Sequence, residues 1–113
     1  GYFSMYADEY MTENRDVYFD GFFSDAKGSY PIMLKFELDE NYFPGVCYYH
    51  NINYDTKLRM SVRFTEEEMI IRGKANGSDF VMNFTPTTNG NWKGRAQSGS
   101  HYLNAEIRPR SPR

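Results

Sequence analysis

Tyr30-Pro31-Ile32-Met33-Leu34-Lys35-Phe36-Glu37-Leu38-Asp39 is the stretch that decides the fold. Ile32, Leu34, Phe36 and Leu38 recur at a period of two with Met33, Lys35 and Glu37 between them, the pattern of a strand with one face in a core and one in water. After Glu40 and Asn41 comes the turn punctuation of Pro44 and Gly45, and then a second strand over 46–50. The pair reads as an antiparallel hairpin.

The same device repeats on both sides of this hairpin. Upstream, Val17, Phe19, Gly21 and Phe23 share a face over 17–23, and a short, turn-rich linker over 25–29 leads into Tyr30. Downstream, Leu58, Met60, Val62 and Phe64 alternate with Lys57, Arg59, Ser61, Arg63 and Thr65. Met69, Ile71, Gly73 and Ala75 then alternate with Arg72 and Lys74. Asn76-Gly77 supplies a two-residue hairpin turn, because both positions tolerate positive φ. Three further strands follow. Phe80, Met82 and Phe84 point inward over 80–85, Trp92, Gly94 and Ala96 over 92–97, and Leu103, Ala105 and Ile107 over 101–108.

At the N-terminus, Phe3, Tyr6, Tyr10 and Met11 fall at near-helical spacing with Ser4 as a candidate N-cap, so a short helix or ordered arm is expected within 1–14. The segment 109–113, with two prolines and two arginines, reads as a disordered tail.

Every connector is too short for a parallel crossover, so neighbouring strands must be antiparallel. The expected fold is all-β: an antiparallel up-and-down meander of about eight strands closing into a small barrel, which removes exposed edges. A chain of 113 residues fits one such domain. Ile32, Leu34, Phe36, Leu38, Leu58, Met60, Val62, Phe64, Phe80, Met82, Phe84 and Trp92 are the expected core.

Composition removes several chemistries. The single cysteine, Cys47, rules out an intramolecular disulfide and a zinc site built from several thiolates. Its expected role is packing as a small hydrophobe, with its strand face left open between inside and outside. The longest apolar run, 46–49, is far short of the roughly 20 residues a spanning helix needs. A membrane barrel is disfavoured too. The outward Lys35, Arg59, Arg63, Arg72, Lys74 and Lys93 would each cost about 2–4 kcal/mol at mid-membrane. The chain opens on Gly1 and not on Met, which reads as an artificial or a processing boundary and says nothing of a removed signal peptide.

No phosphate loop, nucleophile elbow or paired-carboxylate signature is present, and no cofactor is expected. His50 and His101 lack further ligands at metal-binding spacing, so no metal is expected. Glu66-Glu67-Glu68 reads as a solvated turn. Asn76-Gly77-Ser78 and Asn83-Phe84-Thr85 match the glycosylation sequon, but the first is explained by its turn and the second by an outward strand position.

Binding candidates remain. Tyr42, Phe43 and Tyr54 fall in loops, where aromatics contact a partner or fold back over the barrel. Trp92 either stacks on a ligand at a barrel mouth or plugs the core. The small inward residues Gly73, Ala75, Gly94, Ala96 and Ala105 mark where an internal cavity for a small apolar ligand would open.

Charge is the least ordinary feature. Residues 1–55 carry ten acids and three bases, net −7, and residues 56–113 carry five acids and ten bases, net +5. Arg59, Arg63, Arg72 and Lys74 would share one outer surface on neighbouring strands, with Lys93 and Arg95 nearby. Such a patch suits an anionic protein or polysaccharide. Nucleic acid fits poorly, because the pI is near 5.7 and stacking aromatics are not interleaved with these charges.

Gly21-Phe22-Phe23, Tyr30-Pro31-Ile32-Met33-Leu34, Gly45-Val46-Cys47-Tyr48-Tyr49 and Gly90-Asn91-Trp92-Lys93-Gly94, spread from Val17 to Ile107, resemble the punctuation of small secreted bacterial lipocalin-like β-barrel domains of unknown function. The resemblance implies an extracytoplasmic barrel, periplasmic or on the cell surface, in some cases derived from a lipoprotein. A non-catalytic binding or interaction domain is the expected function. A carrier of a small apolar ligand and an enzyme with a site at the barrel mouth are the alternatives.

Overall fold

The computed structural model describes residues 2–53 and 55–112. A helix, α1 (Tyr2–Tyr10), precedes eight strands: β1 (Asp16–Asp25), β2 (Gly28–Leu38), β3 (Pro44–Asn51), β4 (Thr56–Phe64), β5 (Met69–Ala75), β6 (Ser78–Pro86), β7 (Trp92–Ser98) and β8 (His101–Pro109). Each strand pairs antiparallel with the next, and β8 returns to β1, so the meander closes into a barrel as the short connectors require.

The alternation read from the sequence sets which side chains fill the barrel. Val17, Phe19, Leu34, Phe36, Met69, Ile71, Met82 and Phe84 are fully buried, and Met60, Trp92, Ala96 and Ile107 join them. Burying each large apolar side chain is worth about 1.5–3 kcal/mol. On β3 the open question resolves inward for Cys47 and Tyr49, with Val46, Tyr48 and His50 outside. Among the expected core residues, Leu58, Val62 and Phe64 are only partly buried.

Rings seal both ends. At the end bearing α1, Phe3 reaches in to 5.1 Å from the Phe36 ring and 5.8 Å from Phe64, and Tyr6 lies 6.0 Å from Trp92. The Tyr6 hydroxyl donates to the Gly90 carbonyl at 2.9 Å, tying the helix to the β6–β7 loop. At the opposite end Phe23 stacks on Tyr49 at 5.8 Å, and Phe80 meets Tyr49 edge-on at 5.0 Å.

Local chemistry fixes the turns. Asn76 and Gly77 adopt φ of 51° and 80°, the geometry anticipated from the Asn-Gly pair. In the β1–β2 turn, Asp25 accepts from the Lys27 and Gly28 amides at 2.9 and 3.2 Å. These donors, the Lys27 amide foremost, hold its carboxyl below the usual range.

Pro109 and Arg110, at the start of the segment expected as a disordered tail, hold fixed places. Pro109 belongs to β8, the Arg110 amide donates to the Tyr18 carbonyl at 2.8 Å, and the Arg110 guanidinium pairs with Asp20. A charge-assisted pair across the closing seam gives these residues a fixed place that composition alone does not reveal. Among the described residues no helix is long and apolar enough to cross a membrane.

Candidate functional site

The outer surface of β4 and β5 carries the arginines singled out from the sequence. Register sets Ser61 opposite Arg72 and Arg63 opposite Ile70, and Arg59 lies two residues before Ser61 on the same outward phase. Arg59, Arg63 and Arg72 are exposed, and none of them forms a salt bridge among the described residues. Lys74 differs, because its ammonium meets Asp79 at 2.6 Å. That hydrogen bond, with a more distant contribution from Arg72, holds the Asp79 carboxyl below its ordinary value. The three arginines around Ser61 are therefore the part of the predicted basic face without a salt bridge among the described residues.

Cross-strand rows extend this face around the barrel. Arg72 faces Val81, Val81 faces Gln97, and Gln97 faces Tyr102, so one row runs outward from β5 to β8. The neighbouring row passes from Ile70 to Asn83, Arg95 and Asn104. Between these rows the surface sinks into a depression of about 360 Å³, lined by Glu68, Val81, Asn83, Lys93, Arg95 and Tyr102 among others.

A crease in the sheet makes the outer wall concave there. Gly94 sits so close to β6 that a Cβ on it would lie 1.6 Å from the Asn83 carbonyl oxygen. A matching crease at Gly21, where a Cβ would lie 2.0 Å from the Glu106 carbonyl oxygen, underlies a second outer depression of about 380 Å³ at the β1–β8 seam. The small inward residues were expected to mark an internal cavity. The hollow beside Gly94 and Ala96 opens outward instead, and on the inside Met60 occupies the space beside Gly73, where an added Cβ would lie 3.0 Å from Met60 Cγ.

The aromatic candidates do not assemble into one site. Trp92 is 1% exposed and covered by Tyr6, so its place is the core plug. Tyr42 and Phe43 are 43% and 49% exposed in the β2–β3 loop, which Asp39 braces by accepting from the Asn41 and Phe43 amides at 2.8 and 2.9 Å. Arg15 stacks on Tyr42 at 4.7 Å, and Phe43 leans on Phe64 at 5.6 Å, so both fold back toward the barrel end. Tyr54 lies outside the described residues.

Charge is distributed differently from the division into sequence halves. Among the described residues, the helix, the loops and the C-terminal segment at the α1 end hold Asp8, Glu9, Glu13, Asp39, Glu40, Glu66, Glu67 and Glu68 against Arg15 and Arg110. The basic face lies on the barrel wall beyond that acidic end. In a meander all loops of one parity gather at one end, so an acidic run in the β4–β5 turn joins the acids of the N-terminal half. Only the topology, not the order of residues, discloses that polarity.

Comparison with protein-family models, with curated proteins and with solved structures finds no match to this chain. Its functional reading therefore rests on its own surface.

Proposed function

We propose that this chain is a non-catalytic binding domain that receives an anionic polymer, best represented by an acidic polysaccharide, on the outer face of β4 and β5. The observation that carries the reading is the exposed trio of Arg59, Arg63 and Arg72 without a salt bridge among the described residues, on a protein whose net charge is −2. Retaining unpaired arginines on one wall of an acidic protein favours a localised complement over a general counter-ion effect. Arginine suits this role because its planar fork engages carboxylate and sulfate with two parallel hydrogen bonds.

Side chains fill the barrel interior, which favours the outer wall over an internal carrier site as the place of contact. The eight-stranded closed architecture agrees with the resemblance to secreted bacterial lipocalin-like domains. With that resemblance goes an extracytoplasmic location, where acidic polysaccharides are abundant.

The test is retention on an immobilised sulfated polysaccharide. The wild type should be held and released by salt, and the Arg59→Glu, Arg72→Glu variant should pass through. Equal retention of the two would leave the trio as ordinary solvated surface.

A further inference from the structure

We infer that the depression on β6–β8 is a subsite for a single sugar ring bearing one carboxylate, a hexuronate unit of the chain that lies along the basic face. The inference rests on the polysaccharide reading and adds to it where, and in which orientation, one residue of the polymer is held.

The first argument is the division of chemistry between two walls. On one wall stand Lys93 and Arg95, both exposed. Lys93 is shared with Glu106 at 3.8 Å, but Arg95 has no salt bridge among the described residues. Its guanidinium is instead held over the Tyr102 ring at 5.0 Å, which fixes a cation without neutralising it. On the other wall the Asn83 amide donates to Glu68 Oε2 at 3.0 Å. That bond immobilises both side chains and leaves Asn83 Oδ1 and Glu68 Oε1 as acceptors without a partner among the described residues.

A ligand matching both walls needs an anion at one edge and hydroxyl donors at the other. Glu68 sharpens this requirement. A second anionic group on the same ring would be driven against its carboxylate in a half-buried setting, where repulsion is poorly screened. A ring with one carboxylate and free hydroxyls satisfies Arg95 and the Asn83–Glu68 pair together. A multiply sulfated ring does not.

Size and continuity agree. About 360 Å³ lies at the small end of ligand sites and has room for a sugar ring. Val81 gives the floor its apolar patch, and it is also the direct cross-strand neighbour of Arg72. A chain seated in the depression thus passes without interruption onto the arginine trio.

The test is a titration of the full 113-residue chain, isotopically labelled, with an oligouronate followed by amide and side-chain NMR shifts. Three probes are compared: the oligouronate, its carboxyl-reduced neutral counterpart, and a sulfated oligosaccharide of the same length. The oligouronate should shift Asn83, Arg95 and Tyr102 together with Arg72, and the neutral counterpart should not. Arg95→Gln should weaken binding about tenfold, the loss expected for a charge-assisted hydrogen bond. The sulfated probe should shift Arg59, Arg63 and Arg72 and leave Asn83 unmoved. If the oligouronate moves only the trio, the depression is not a sugar subsite although the basic face still binds polyanions. If the oligouronate moves neither region while the sulfated probe moves the trio, the hexuronate assignment is likewise overturned.

Discussion

Gly94 and Asn83 are packed backbone against backbone across β7 and β6, so that even a methyl group on Gly94 would fall 1.6 Å from the Asn83 carbonyl oxygen. Since backbone cannot rotate aside as a side chain can, Gly94→Ala has to open the crease that shapes the outer depression. Overpacking of this kind costs about 1–3 kcal/mol and sometimes more. Urea unfolding should show a loss in that range or above. Gly45→Ala, where nothing lies within 4 Å, should stay within about 0.5 kcal/mol of the wild type. Equal midpoints for the two variants would mean that the crease is not there.

The phase of the second strand is open to an equally direct test. Phe36 is fully buried between the rings of Phe3 and Phe19, whereas Glu37, its neighbour in sequence, faces solvent. Phe36→Ala should cost about 3–5 kcal/mol and Glu37→Ala no more than about 1 kcal/mol, because Glu37 gives up only an exposed ion pair with Lys35 at 3.6 Å. Comparable losses in chemical denaturation would place the wrong face of β2 in the core.

Cys47 is fully buried on the inward face of β3, and burial pushes its thiol far above the ordinary range. A thiol reagent such as Ellman's should leave the native protein unlabelled and react with one equivalent once urea unfolds it. Rapid native labelling would require Cys47 on the outside, with β3 shifted by one residue.

Asp16 gives the pH dependence a definite sign. Its side chain is 10% exposed, and burial raises its carboxyl above the usual value despite Lys35 at 3.9 Å. The folded protein therefore holds this proton more tightly than the unfolded chain does. The resulting contribution to stability is complete below the ordinary carboxylate value and is lost as pH rises through the raised folded value. Asp16→Asn should remove that decline and be no less stable than wild type at neutral pH. A variant that loses stability at neutral pH would show the Lys35 attraction to outweigh desolvation.

The barrel was legible in the sequence because its signals are local and redundant. Ile32 to Leu38 and Leu58 to Phe64 each carry a full period-two repeat, and connectors such as Asn76-Gly77 permit only antiparallel neighbours. The basic trio was legible for the same reason, since outward phase on adjacent hairpin strands brings Arg59, Arg63 and Arg72 together. What escaped depends on side-chain contacts that no local pattern encodes. Arg110 looked like tail until closure brought it to Asp20, and Glu68 meets Asn83 through the reach of its side chain across the β5–β6 pair, which alternation alone does not reveal. The hollow beside Gly94 was anticipated in place but not in direction, because a missing side chain reads the same whether the sheet folds inward or outward. Trp92 had two readings from sequence, and the Phe3 and Tyr6 side chains of α1 decide between them by covering the mouth.

Binding measured against salt for three proteins of known charge tests the polyanion-binding face most directly. The dissociation constant for a sulfated polysaccharide should rise steeply with salt for the wild type, since every anionic group that an arginine engages sets free condensed counter-ions, and added salt opposes their release. Arg59→Glu, Arg72→Glu should bind weakly at every salt concentration with an unchanged melting temperature. Lys27→Glu, Arg108→Glu makes the same change in net charge away from β4 and β5, at residues that are likewise exposed. This third protein should retain most of the wild-type affinity. A wild-type constant indifferent to salt, or equal losses in the two double reversals, would contradict a localised binding face.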